Sequence, residues 1–253
     1  MAKNKIHFHL LTIFPEIFGS YLHTSILGRA ESEGKINFDI IDIRDFTNDK
    51  HKKVDDTPYG GGAGMVMKVE PIYNCVSAIK LKIQNEKLIM NSQAQVIDDK
   101  SQVKKHQSKE KTRVIVFSAK GKQFTEGDAK RLAKYDHLVM ICPRYEGVDE
   151  RVVKYIADEE LSIGPYVLTG GELPAMIVAD AVSRLIPGVL GNKDSLREES
   201  FSKPDYLEYP QYTRPAEFTN DDASISKTKK WKVPGILLSG DHEKIRIWRA
   251  GKK

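Results

Sequence analysis

The sequence predicts an α/β domain built on a mostly parallel sheet, followed by a small helical C-terminal domain. Three observations lead there. Short runs rich in Ile, Val and Leu alternate with stretches of helical spacing over residues 6–190, the order that buries parallel strands beneath crossover helices. The alternation stops after Gly191, where a polar stretch, 191–202, reads as a linker. The 253 residues, 40% hydrophobic and 30% charged, suffice for one large folded core plus a small second domain.

Each element follows from its local pattern. Residues 6–13 form an apolar run closed by Phe14-Pro15 and read as a buried strand. Residues 17–27 carry helical spacing, and 36–43 alternate imperfectly as a second strand. A polar loop ends in Asp55-Asp56-Thr57-Pro58-Tyr59-Gly60-Gly61-Gly62-Ala63-Gly64. Pro71 opens a helix over 71–79, since proline fits the first turn. Residues 84–111 are rich in Gln, Lys, Ser and Asn and read as a flexible insertion with little to bury. Strands follow at 114–117, 138–142 and 161–163, alternating with helices at 126–134, 148–156 and 173–185. Residues 203–253 hold a proline-rich approach and one helical run at 239–250.

Composition excludes several classes. The most apolar window, 173–191, contains Asp180, Arg184 and Pro187, so it reads as a buried segment and not a membrane span. The polar start lacks the charged and apolar regions of a secretory signal. Cys75 and Cys142 lie far apart with no C-x-x-C, and Cys142 ends an apolar run and reads as a buried free thiol, which fits a reducing cytoplasm. The net charge of +5 is unevenly spread: residues 80–113 carry +5 and 227–253 carry +7, while 114–226 carry −6. Such clustering suits a polyanionic partner, although solvated surface lysines give the same count.

Ligands of open α/β sheets bind at loops beyond the C-terminal strand ends. Three loops are placed there: 117–121, 143–147 and 163–172, each holding glycine that permits close backbone approach. The dinucleotide fingerprint G-x-G-x-x-G and the P-loop are absent, and no Cys/His spacing suggests structural zinc.

Five segments carry a resemblance: Val54 through Met65, Arg144 through Arg151, Ser162 through Met176, Pro187 through Gly191, and Tyr212-Thr213-Arg214-Pro215. In order and over most of the chain they closely resemble the bacterial TrmD family of tRNA (guanine-N1)-methyltransferases, of the SPOUT class. The resemblance implies a deep trefoil knot in the C-terminal half of the catalytic domain, 1–190, with 203–253 as a tRNA-binding domain. It implies methyl transfer from S-adenosyl-L-methionine to N1 of the guanosine immediately 3′ of the anticodon. It also implies a cytoplasmic homodimer with sites at the subunit interface.

On this reading the cofactor pocket is lined by Phe117, Ser118, Pro143, Tyr145, Glu146, Gly147, Ser162, Ile163, Gly164, Pro165, Tyr166, Val167, Leu168, Gly170 and Gly171. Asp55, Pro58, Tyr59, Gly60 and Gly61 would meet the substrate. Arg184 would steady negative charge on guanine O6, although its spacing from Asp180 also fits a surface ion pair. Glu199 stands where the family usually has Asp and would take the N1 proton; the residues alone also allow Glu198 and Glu199 to be an acidic linker. Pro143 replaces a usual Gly and Ala119 a usual Pro. The resemblance further implies a Mg2+ requirement, with Glu146 and Asp55 as candidate carboxylates. In the basic tail, Trp231, His242 and Trp248 suit tRNA contact, and the spacing of Trp248 from Ile245 equally suits a packed helix face.

Overall fold

A computed structural model describes residues 5–97, 111–191, 199–203, 206–220, 224–225 and 230–251. The chain divides into two compact units, Met1–Lys193 and Asp194–Lys253.

The first unit is built on a five-stranded sheet. Its strands are β1 (Ile6–Thr12), β2 (Ile36–Asp42), β5 (Thr112–Gln123), β6 (His137–Ile141) and β7 (Glu159–Ser162), in the order β2-β1-β6-β5-β7. All four pairings are parallel. β6 is buried at every residue, as a central parallel strand covered on both faces must be. On one face Ile6, Phe8, Leu10, Ile115, Leu138 and Met140 pack under α2 (Ser25–Ser32), α4 (Glu126–Leu132) and α6 (Glu172–Arg184). On the other, Leu11, Val114, Val116, Val139 and Ile141 pack under α3 (Val69–Ile97) and α5 (Glu150–Tyr155). Each of these side chains contributes roughly 1.5–3 kcal/mol by burial, so the sheet dictates where the loops emerge.

The structure alters two expectations. Helix α3 continues to Ile97, through the first half of the segment read as a flexible insertion. Ala, Gln, Lys, Leu and Met are good helix formers, and a polar stretch can continue a helix already anchored at its start. The remainder of that segment, 98–110, lies outside the described residues. The strand expected at 114–117 runs on to Gln123. Both Phe117 and Lys122 register with Leu161, so Ser118–Gly121 loop out as a wide bulge within β5. A further small hairpin, β3 (Asp55–Asp56) with β4 (Val66–Met67), closes the glycine-rich loop.

The second unit contains a hairpin, β8 (Glu217–Thr219) with β9 (Lys230–Lys232), then α7 (Gly235–Leu238) and α8 (His242–Gly251). The hairpin was not expected from sequence; its three-residue strands are too short to carry a period. Phe218 packs on Trp231 at 5.4 Å between ring centroids, and Glu217 pairs with Lys230 and Lys232 at 2.7 and 3.2 Å. Trp248 is partly buried and lies 6.4 Å from Tyr212, so part of the ring serves packing within the unit.

Candidate active site

Three loops at the C-terminal edge of the sheet converge. The β5 bulge is fixed by Lys120 N–H donating to Ser118 Oγ at 3.1 Å. Gly121 lies so close to β7 that a Cβ there would stand 2.7 Å from the Leu161 carbonyl carbon. The second loop, after β6, turns on Tyr145 and Gly147, both with positive φ (59° and 113°). Glu146 N–H donates to Met65 O at 3.0 Å and Met67 N–H to Gly147 O at 2.9 Å, so this turn is stitched to the end of the glycine-rich loop. The third loop, after β7, begins with Ser162 Oγ, which donates to Gly164 O at 3.0 Å. It ends with Gly171 N–H donating to Pro143 O at 2.8 Å.

Between these loops is a cavity of about 460 Å³. Of the residues expected to hold a cofactor, Phe117, Ser118, Pro143, Tyr145, Glu146, Gly147, Ser162, Ile163, Tyr166, Val167, Leu168, Gly170 and Gly171 line it. Gly164 and Pro165 do not: Gly164 is buried behind the Tyr166 ring and Pro165 points outward. The sequence did not single out Lys120, Arg144, Glu150, Glu160, Thr169 or Pro174, which also line it. For Glu160 a signal existed: successive strand residues face opposite ways, so Glu159 and Glu160 cannot share one surroundings. Arg144 stood inside a quoted motif without a role. Its partner, Glu172, is 28 residues away and no local spacing links them.

That partner explains how the second and third loops are held. Arg144 Nε lies 2.9 Å from one oxygen of Glu172 and 3.1 Å from the other, while Thr12 Oγ1 donates to the same carboxylate at 2.8 Å. The guanidinium also sits 4.7 Å from the centroid of the Phe14 ring and donates to Thr169 O at 3.3 Å. Glu172 is buried, so its charge requires this pairing. At the other end of the cavity, Lys120 Nζ donates to Glu150 Oε2 at 2.9 Å, a contact that raises the lysine and lowers the glutamate from their ordinary values.

None of Asp55, Pro58, Tyr59, Gly60 and Gly61 lines the cavity. Tyr59 is fully exposed, and Gly60 and Gly61 both adopt positive φ. The loop meets the site at its end, where a Cβ on Gly64 would stand 2.6 Å from Glu146 Cγ. Arg184 closes α6 as its last residue, outside the cavity lining. Glu199 belongs to the second unit, where its carbonyl accepts from Ser202 N–H at 3.0 Å. Among the described residues, no group of three or more His, Cys, Asp and Glu is placed to hold a metal ion. Of the two carboxylates expected to hold Mg2+, Glu146 lines the cavity and Asp55 does not. Among the described residues, no helix is long and apolar enough to cross a membrane.

A parallel α/β sheet whose C-terminal loops enclose one nucleotide-sized cavity defines a ligand-binding domain of the kind that carries group-transfer enzymes. Comparison with known proteins narrows the class. The family model described as tRNA (guanine-1)-methyltransferase TrmD matches residues 6–110 and 93–253. A tRNA (guanine-N(1)-)-methyltransferase of Dictyoglomus turgidum is 48% identical over 240 residues, 95% of this chain and 82% of that protein. The Clostridioides difficile protein of the same name is 46% identical over 244 residues, 96% of this chain and 90% of its own. The crystal structure of a tRNA (m1G37) methyltransferase from Aquifex aeolicus superposes with a TM-score of 0.68 at 36% identity, covering 97% of this chain and 88% of that one. The chain belongs to the TrmD family of tRNA (guanine-1)-methyltransferases and is an enzyme of that class.

Proposed function

We propose that the protein methylates N1 of the guanosine immediately 3′ of the anticodon in tRNA, with S-adenosyl-L-methionine as methyl donor. The observation that carries this reading is the single cavity formed by all three C-terminal loops, in a chain whose relatives bear that name. Its walls suit the donor: Phe117, Leu161, Ile163, Val167, Leu168 and Pro174 offer apolar surface, while exposed loop backbone offers donors and acceptors. When bound, S-adenosylmethionine supplies the methyl group that the guanine N1 takes up. A deep knot belongs to the same reading, supported by the close passage of Gly171 beside Cys142 and Pro143 and of Gly121 beside Leu161.

Guanine N1 carries a proton that must leave before it can accept a methyl group. Glu199 takes that proton, and Arg184 donates to O6, where the charge develops. Positioning of the two partners supplies much of the remaining acceleration. A homodimer with shared sites is part of the proposal. Leu173 and Ile177, 54% and 46% exposed, form one stripe of α6 with Asp180 and Arg184, an apolar edge suited to a second subunit. The basic C-terminal segment contacts the tRNA backbone, and the enzyme works in the cytoplasm.

The test is methyl transfer from labelled S-adenosylmethionine to a leucine tRNA transcript, beside the same transcript with adenosine 3′ of the anticodon. Only the guanosine transcript is methylated. Glu199→Gln lowers kcat about 10²–10⁴-fold and Arg184→Ala about 10²–10³-fold, with cofactor affinity retained. Full activity in Glu199→Gln moves the base to another carboxylate. Cofactor binding without any transfer favours an RNA-binding protein that keeps the fold.

A further inference from the structure

The cavity wall holds one group that nothing above uses. Strand β7 presents two adjacent glutamates to opposite faces of the sheet. Glu159, opposite Ile115, is fully engaged: Arg113 Nε donates to it at 2.9 Å and Arg131 Nη2 at 2.7 Å. Glu160, opposite Val116, turns to the α5 side and lines the cavity. Among the described residues lining the cavity, Glu160 alone has a buried side-chain oxygen, Oε1, without a hydrogen-bond partner. A buried carboxylate oxygen left unpaired costs its full desolvation, so native structures keep one only where something else completes it.

The charges around it define what completes it. Five charged side chains line the cavity: Lys120, Arg144, Glu146, Glu150 and Glu160. Arg144 is matched from behind by Glu172, and Lys120 bonds Glu150 while also feeling the charge of Glu160. Negative charge is left over at Glu146 and Glu160; of these two, only Glu160 has a buried oxygen without a hydrogen-bond partner, and Val116, opposite it on β5, offers no side-chain donor. A group that brings both a positive charge and an N–H or O–H suits this position best. On the proposed cofactor, the sulfonium has charge without a donor. The ribose hydroxyls have donors without charge. The α-ammonium group has both.

Resting on the cofactor reading above, we infer that Glu160 accepts a hydrogen bond from the α-ammonium group of S-adenosylmethionine and so fixes the amino-acid end of the cofactor in the β5–β7–α5 corner of the cavity. It is a binding residue for the cofactor, and it takes no proton from the substrate.

Titration calorimetry on the full-length protein tests this with three probes, S-adenosylmethionine, S-adenosylhomocysteine and 5′-methylthioadenosine. The last lacks the amino-acid end. Glu160→Gln weakens the first two about tenfold or more, as loss of a charge-assisted bond does, and leaves the third unchanged. Equal weakening of all three places the contact on the nucleoside or makes Glu160 merely structural. Weakening of S-adenosylmethionine alone places it on the sulfonium, and no change removes the contact; each of these overturns the inference. Should Glu160→Gln fail to fold, the wild-type protein decides. An S-adenosylhomocysteine analogue lacking only the amino group binds about tenfold or more weaker than the parent, and equal binding overturns the inference. If the wild-type protein binds none of the probes, the cofactor reading itself fails, and the inference with it.

Discussion

Arg144 is the side chain on which the site most depends. It spans the second and third loops through Glu172 and Thr169 O and lies against Phe14. Arg144→Ala leaves the Glu172 carboxylate buried and uncompensated, which costs about 3–5 kcal/mol. Urea unfolding followed by circular dichroism should show that loss, and Arg144→Lys should recover only part of it because an ammonium cannot match the forked geometry. The two thiols behave oppositely to reactive cysteines. Burial pushes Cys75 up to about 12 and Cys142 well above its ordinary value. Neither thiol should react with an aromatic disulfide reagent in the native protein, and both should after denaturation. At this scale the sequence was informative about chemistry and poor about partnership. The apolar run ending at Cys142 foretold its burial. Nothing near Arg144 foretold Glu172, because the pairing is made by the fold and not by spacing.

At the scale of elements, the glycine loops were legible as places of close backbone approach, and Gly171 shows why. Its φ is −86°, so any residue could adopt its conformation. What requires glycine is space: a Cβ there would stand 2.6 Å from Cys142 Cα and from Pro143 Cδ. Gly171→Ala should cost about 1–3 kcal/mol through overpacking and should also weaken cofactor binding, since it pushes apart two loops that line the cavity. Thermal melting and calorimetry together check this; a stable variant with unchanged affinity would contradict it. The strands and helices were legible because burial on both faces writes continuous apolar runs. The wide bulge in β5 was not, because Ser118-Ala119-Lys120-Gly121 reads as a loop whether or not pairing resumes after it. The length of α3 was missed for a related reason: a polar composition says nothing against a helix that is anchored at its other end by Ile72, Cys75, Val76 and Ile79.

For the molecule as a whole, the sheet carries a pH dependence of its own. His9 and His137 are buried side by side, with His9 Nε2 3.1 Å from His137 Nδ1, and His9 Nδ1 meets Asp39 at 3.1 Å. Burial, with the neighbouring imidazoles of His7 and His9, pushes His137 down to about 4 from its ordinary 6.5. Between those values the unfolded chain takes up a proton that the native protein does not, so stability should fall as pH drops from about 6.5 to 4. Asp39, held down to about 2 by the hydrogen bond from His9, adds a further loss below its ordinary 3.8. Urea midpoints measured across this range should decline, and His137→Gln should flatten the upper part of the decline. The parallel α/β architecture was readable in the sequence, and the contacts divide the chain near residue 193. The roles given to Glu199 and Arg184 could be read only as family positions, since no local pattern marks either residue for chemistry. The most direct test of the central claim is reverse transcription of a leucine tRNA transcript after incubation with the protein and S-adenosylmethionine. A methyl group on N1 blocks the pairing edge of guanine, so extension should stop at the guanosine 3′ of the anticodon, and only when both protein and cofactor were present. Full-length extension, or a stop at any other nucleotide, would contradict the assignment.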